Sequence, residues 1–273
     1  MDITQDAARE IDRLVLSIYR ALGPRHGKRL VGLAQELGLE SLEFLPLLGD
    51  FLLAGALTQD VALLRMRYSS PERLLRWLDE LDGKNLIDDT GDAWRATPTL
   101  RPLLETLVAA ETEIATAAWK DHESDVATVG DVAQTLIAAV SDDHRVAVAY
   151  RELPEPTDPY LLLFHRLVGL RYIRQQDHIT AWEAPGLTAP EMVVLTKLWL
   201  GEDVADYPHV MARLAMVELA TDNPPALTEA GLELREAIEV DTNAASQQTF
   251  GALNDTTATE FLAALRRLPG VVT

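Results

Sequence analysis

Apolar residues recur at helical spacing through most of the chain. Ile11, Leu14, Val15, Ile18 and Leu22 fall at i, i+3, i+4, i+7 and i+11, which predicts an amphipathic helix over Asp6 to Leu22. Gly23-Pro24 is expected to end it and to open a small basic loop, Arg25 to Arg29. Two further helices are read over Leu30 to Gly38 and Leu42 to Leu53, the second capped by Ser41. Thr58 to Met66 reads as helix, Ser69-Ser70-Pro71 supplies a cap with proline in the first turn, and Leu74, Leu75, Leu78 and Leu81 share one face of the next helix. After Gly83, Leu86-Ile87 and Trp94 to Thr97 flank the tip Asp88-Asp89-Thr90-Gly91-Asp92, the pattern of a two-stranded ribbon.

Helix, turn, helix, ribbon and a closing helix is the order of a winged helix-turn-helix, whose second helix enters the DNA major groove. Ser69, Ser70, Arg73, Arg76 and Arg95 are the DNA-facing candidates on this reading. The pattern continues as a helix over Leu100 to Trp119, a polar break at 120–125, a helix over Val129 to Val140, and a short strand or helix end at Arg145 to Tyr150. The break suggests two domains, 1–125 and 126–273. Three prolines between Leu153 and Pro159 mark an extended connector.

One long helix is expected over Asp158 to Glu183. Its step of about 100° per residue stacks Tyr160, Phe164, Leu167, Arg171, Arg174, His178 and Trp182 in a single stripe. Guanidiniums and an imidazole among aromatics are costly to bury unpaired, so this stripe is the place to look for a ligand. The arginines suit a carboxylate or phosphate and the aromatics suit a ring. The competing reading is a structural arginine network that ties two halves of the chain through acidic partners. His165 falls on another face and reads as a packed histidine.

Beyond it, Thr188 and Glu191 have capping-box spacing at the start of a helix, further helices follow at Met192 to Leu200, Pro208 to Ala220 and Glu229 to Val240, and Asp222 to Pro225 forms a tip. Leu57-Thr58 lies 130 residues before Leu187-Thr188, and Thr97 lies 131 before Thr228. The expected fold is therefore mainly α, two degenerate winged helix-turn-helix units with short β-ribbon wings, linked by long helices.

Composition modifies this picture mainly through charge. The net charge of −19 opposes phosphate contact unless a basic patch is segregated. Between Pro71 and Arg101 there are five basic and seven acidic side chains, and from Pro208 to Ala226 only His209 and Arg213 stand against Glu218 and Asp222. The first unit is thus the better DNA candidate. The absence of cysteine excludes disulfides and thiolate metal sites. No metal-ligand pair, phosphate loop or complete catalytic set is present in the sequence, so no metal, cofactor or catalytic residue is assigned. No run of about 18 apolar residues suggests a membrane span, and the acidic start of the chain suggests a cytoplasmic protein.

The phrases LLRWLDELDGKNLIDDTGDAWRAT and LAMVELATDNPPALTEAGLELREAIE resemble MarR-like winged-helix proteins, in which the wing is followed by LT-x-x-G. His165, Leu170, Arg171, Arg174 and His178, then LTEAG and the terminal Leu-Arg-Arg-Leu-Pro, are similar to an actinobacterial family of tandem winged-helix proteins. The resemblance implies a helical tandem winged-helix fold and carries no specific task with it, but it favours one reading: a ligand-responsive transcription regulator with a small-molecule ligand, double-stranded DNA as a partner, and a homodimer. The acidic surface favours an alternative, a protein that keeps the ligand pocket and has lost DNA binding. An enzyme built on the same pocket, with His178 as acid or base, is the third reading.

Overall fold

The computed structural model describes residues 3–272. Helix α1 spans Ile3–Glu36 without interruption. The expected break at Gly23-Pro24 is thus corrected, and the basic residues 25–29 lie on the helix. Proline forfeits a backbone hydrogen bond, but Leu22, Leu30 and Ala34 are buried in one core on both sides of it, and that burial keeps the helix continuous.

The first helix-turn-helix follows. Helix α2 (Leu45–Ala54) stops at Gly55, whose left-handed φ of 70° suits glycine. Thr58 caps α3 (Gln59–Arg65) and Ser70 caps α4 (Pro71–Gly83), each side chain accepting from a first-turn backbone N–H. Strands β1 (Ile87–Asp89) and β2 (Trp94–Ala96) pair antiparallel, Ile87 opposite Ala96. A bridge from Leu57 to Trp94 ties the ribbon to the start of the unit.

Four helices then lead to the second unit: α5 (Arg101–Trp119), α6 (Glu123–Ala139), α7 (Arg145–Glu152) and α8 (Pro159–Glu183). The segment read as strand or helix end is the helix α7. Asp158 caps α8 by accepting from the N–H groups of Tyr160 and Leu161. The second unit comprises α9 (Ala189–Leu200), α10 (Pro208–Met216), the paired strands β3 (Ala220–Asp222) and β4 (Pro225–Leu227), and α11 (Glu229–Phe250). Helix α12 (Asp255–Arg267) closes the chain. Helix α11 runs ten residues past its expected end at Val240, because Thr242, Ser246 and Thr249 bury on the side facing the rest of the protein.

Both ribbons are closed by the same hydrogen bonds. Asn85 and Glu218 adopt positive φ, 53° and 61°, just after α4 and α10. The Thr97 N–H donates to Leu86 O and the Thr228 N–H to Leu219 O, while their hydroxyls donate to Asn85 O and Glu218 O. The glycine of LT-x-x-G also has a structural cause. A Cβ on Gly231 would overlap the Leu219 carbonyl, the group that accepts from Thr228.

The largest core joins α1 to α7 with the first ribbon, the first part of α8, and α12. Its packing runs across the polar stretch at 120–125, since α6 packs on both α8 and α12. A second core, with Val194, Leu195, Met211 and Leu214, belongs to the second winged unit. Ile179, Trp182, Met192 and Ile238 join α8, α9 and α11 between them.

Candidate ligand cavity and DNA-facing surface

The polar stripe of α8 is divided by what packs against it. Arg171, Arg174 and His178 line a cavity of about 160 Å³ with Asp12 of α1, Tyr68 of the α3–α4 turn, and Phe250 of α11. A wider groove of about 610 Å³ lies alongside and shares Ala8, Asp12 and Arg174. Phe164 is instead buried against Tyr19, ring centroids 5.4 Å apart. Tyr160 sits half-buried at the start of the helix, away from this cavity. Trp182 is fully buried and donates its indole N–H to Tyr68 Oη at 3.1 Å. The expectation of one continuous binding stripe is therefore corrected: α8 packs on α1 and α5 at one end and on α11 at the other, so residues on one helical face meet different neighbours.

The cations of the cavity are partly committed. Arg171 Nε lies 2.9 Å from Asp12 Oδ1, yet its N–H makes no directed hydrogen bond among the described residues, so the contact is an ion pair with donor capacity unused. Arg174 donates through Nη2 to Asn243 Oδ1 at 2.9 Å and to Glu239 Oε2 at 3.5 Å, while its Nε has no partner among the described residues. Glu239 also accepts from Arg235 at 2.6 Å. Burial pushes the Glu239 carboxyl up, but Arg235, His178 and Arg174 outweigh it and hold it below its ordinary value. Sequence reasoning missed this hub, although Arg235 and Glu239 stand four apart on one helix and so share a face.

His178 Nδ1 lies 2.9 Å from Thr242 Oγ1. That hydroxyl donates its own proton to Ile238 O, so the imidazole is the donor and carries its proton on Nδ1. Burial lowers the His178 pKa to about 4, with Glu239 pulling up and Arg235 and Arg174 pushing down. The ring is neutral at pH 7. An unfolded chain protonates this histidine near 6.5, before the folded one does, so stability is present above that value and is lost as pH falls toward 4. The expected loss is on the order of 3 kcal/mol. Urea midpoints at about pH 7 and pH 4.5 are expected to fall further in the wild type than in His178→Gln. Parallel falls in the two proteins would refute the assignment.

On the first helix-turn-helix, Ser69 lies in the turn before α4 and its N–H donates to Met66 O. Ser70 accepts from Arg73 N–H and donates to Glu72, so its hydroxyl is used by the cap. Arg73 is exposed but paired with Glu43. Arg76 on α4 and Arg95 on β2 are exposed and form no ion pair among the described residues. Arg95 stands opposite Asp88 in the ribbon, and its side chain passes over Gly55. In the second unit Arg213 is bound to Glu191. That buried carboxylate also takes the N–H and hydroxyl of Thr188, completing the expected capping box and pinning α10 to α9. Burial raises the Glu191 pKa, but the hydrogen bonds from Thr188 and Arg213 outweigh it and hold the carboxyl ionised. Of the two units, the first leaves more cationic surface free.

This arrangement defines a winged helix-turn-helix protein. The sequence matches the helix-turn-helix family over residues 85–272, from the first wing through the whole second unit, and the chain belongs to that family. No curated protein and no solved structure matches the chain. Among the described residues, no helix is long and apolar enough to cross a membrane.

Proposed function

We propose that the protein is a MarR-like winged-helix transcription regulator, acting in the cytoplasm, whose DNA affinity responds to a small anionic or aromatic ligand held by Arg171, Arg174 and His178. Helix-turn-helix family membership supports a DNA-binding regulator in general. The observation that carries the ligand response is that Tyr68, two residues before the cap of α4, forms a wall of the cationic cavity. Gln175, beside it, donates to the carbonyls of Leu64 and Arg65 at the end of α3. Arg67 of the same turn reaches Glu183 of α8 at 2.9 Å and lies over the Trp182 ring.

A carboxylate between the two arginines competes with Glu239 and Asp12 for them and shifts α8 against α11 and α1. The turn that sets α4 moves with α8. Such a ligand changes DNA affinity to the extent that it binds one arrangement better than the other. The cavity is smaller than ordinary drug-sized pockets, so it takes the acid group and the neighbouring groove takes the ring. Arg76 and Arg95, with Arg73, Ser69 and Ser70, face the DNA. A homodimer would present two α4 helices to two half-sites.

One observation favours a second reading, a ligand-binding protein that has lost DNA binding: the recognition-helix cations Arg73 and Arg213 are held by carboxylates. Fluorescence polarisation with genomic duplexes at about 50 and about 200 mM salt separates the two. A regulator is expected to bind at low salt and weaken steeply. Arg76→Ala/Arg95→Ala should flatten the logarithmic salt slope by about two. Benzoate should alter binding by the wild type and leave Arg174→Ala unaffected. Absence of binding at low salt would overturn the regulator and leave the second reading.

A further inference from the structure

A separate cavity of about 470 Å³ lies among α1, α2, α5, the 153–158 connector and the first half of α8. It shares no lining residue with the cationic cavity, and its volume suits a small organic molecule. Its charge is of the opposite sign. Five carboxylates line it against Arg101 and His165, and three of them are already committed. Glu105 faces Arg101 at 3.9 Å, Glu155 receives Arg166 at 2.9 Å, and Asp158 caps α8.

Glu111 and Asp50 remain. Asp50 forms a single ion pair among the described residues, with His165 Nδ1 3.8 Å from its Oδ2. Glu111 is 5 % exposed, lines the cavity, and makes no hydrogen bond or ion pair among the described residues. A carboxyl in that position carries a desolvation penalty that a cationic donor would relieve. Tyr19 and Phe164 meet edge to face on the same wall, the apolar and π-rich surface that an ammonium with a hydrocarbon body favours.

We propose that this cavity binds a protonated primary amine bearing an aromatic or apolar body, its ammonium donating to Glu111 and Asp50 and its body lying along Tyr19, Phe164 and Val168. Burial, and then the nearby Asp50, push the Glu111 carboxyl well above its ordinary range, while Arg65 pulls it down. A bound ammonium adds a hydrogen-bonding cation to the more distant influence of Arg65 and opposes that shift. The inference uses no part of the DNA-binding reading.

The test measures binding of phenethylamine and of its neutral analogue 2-phenylethanol by calorimetry and thermal shift. Wild type is expected to bind the amine at least ~10-fold more tightly than the alcohol. Glu111→Gln keeps the shape and removes the buried acid, so it should fold at least as stably near neutral pH and lose the amine preference. Asp50→Asn should lose part of it. Equal affinity for amine and alcohol in the wild type, which needs no variant to fold, would overturn the proposal. So would undiminished amine binding by a folded Glu111→Gln, or no amine binding by the wild type. A benzoate response that survives in Glu111→Gln would support two independent sites.

Discussion

Replacing Arg65 with alanine is expected to lower stability by about 3–5 kcal/mol, the largest effect of any single substitution considered. Arg65 is the last residue of α3 and is 4 % exposed. Its guanidinium lies 4.0 Å from the Tyr172 ring centroid, 5.0 Å from Phe51 and 5.3 Å from Tyr150, so one side chain joins α3 to α8, α2 and α7. Burial alone would lower its pKa, but the surrounding tyrosines Tyr150, Tyr172 and Tyr19 outweigh that and raise it further. It is a permanent cation in an aromatic cage. Alanine removes the packed volume and the cation–π contacts, and removes the cation that pulls the Glu111 carboxyl down. At about 2–4 °C per kcal/mol for a chain of this size, the melting temperature should fall by roughly 10 °C. Methionine, which refills the volume, should recover part of the loss, because Nε and Nη1 of Arg65 make no hydrogen bonds among the described residues. Urea unfolding followed by tryptophan fluorescence measures both. An unchanged midpoint in the alanine variant would mean that the cage is not what anchors the first helix-turn-helix.

Gly231→Ala is expected to cost about 3 kcal/mol, and to cost it locally. The new methyl group would overlap the Leu219 carbonyl, which is backbone and cannot swing aside as a side chain can. The junction of wing and α11 has to open, and the hydrogen bond from Thr228 to Leu219 is lost with it. Because the second winged unit has its own core of Val194, Leu195, Met211 and Leu214, hydrogen exchange should quicken across 187–227 while protection in α1, α5 and α6 is kept. Uniform loss of protection would show that the two cores unfold as one, and no loss would show that the junction adapts.

The winged units were legible in the sequence because their signals are local. Ser70-Pro71 announces the start of α4, Thr188 and Glu191 announce α9, and alternating Leu-Ile and Trp-Arg-Ala runs around Gly91 announce a ribbon. Cap, turn and period depend on residues a few positions apart. Pro24 misled for the same reason, since its local cost was read without the burial of Leu30 and Ala34 that offsets it.

The site was legible only in part. Arg171, Arg174 and His178 share a helical face by spacing alone, and the structure does bring them to one cavity. Trp182 and Phe164 share that face too, yet each is enclosed by a different neighbour, and spacing carries no information about neighbours. Glu111 left a trace that went unread: it stands within the apolar run Leu107, Ala110, Ile114 and Ala115 on the buried side of α5, where a carboxylate is costly unless something meets it.

The sequence by itself determined the helices and ribbons of the winged units, the caps of α4 and α9, that two winged units recur, and that cations on one helix needed partners, whereas the Ser41 cap expected for α2 gives way to Phe44 with no side-chain cap. Those properties follow from backbone hydrogen bonding and side-chain periodicity within a few turns. Tertiary structure alone decided that Glu239 is the partner of Arg174, that Tyr68 couples the first turn to the cavity, and that Glu111 and Asp50 face an opening of opposite charge. Each of these joins residues far apart in the chain, and their energies exist only once packing has excluded water and brought the charges within a few ångströms.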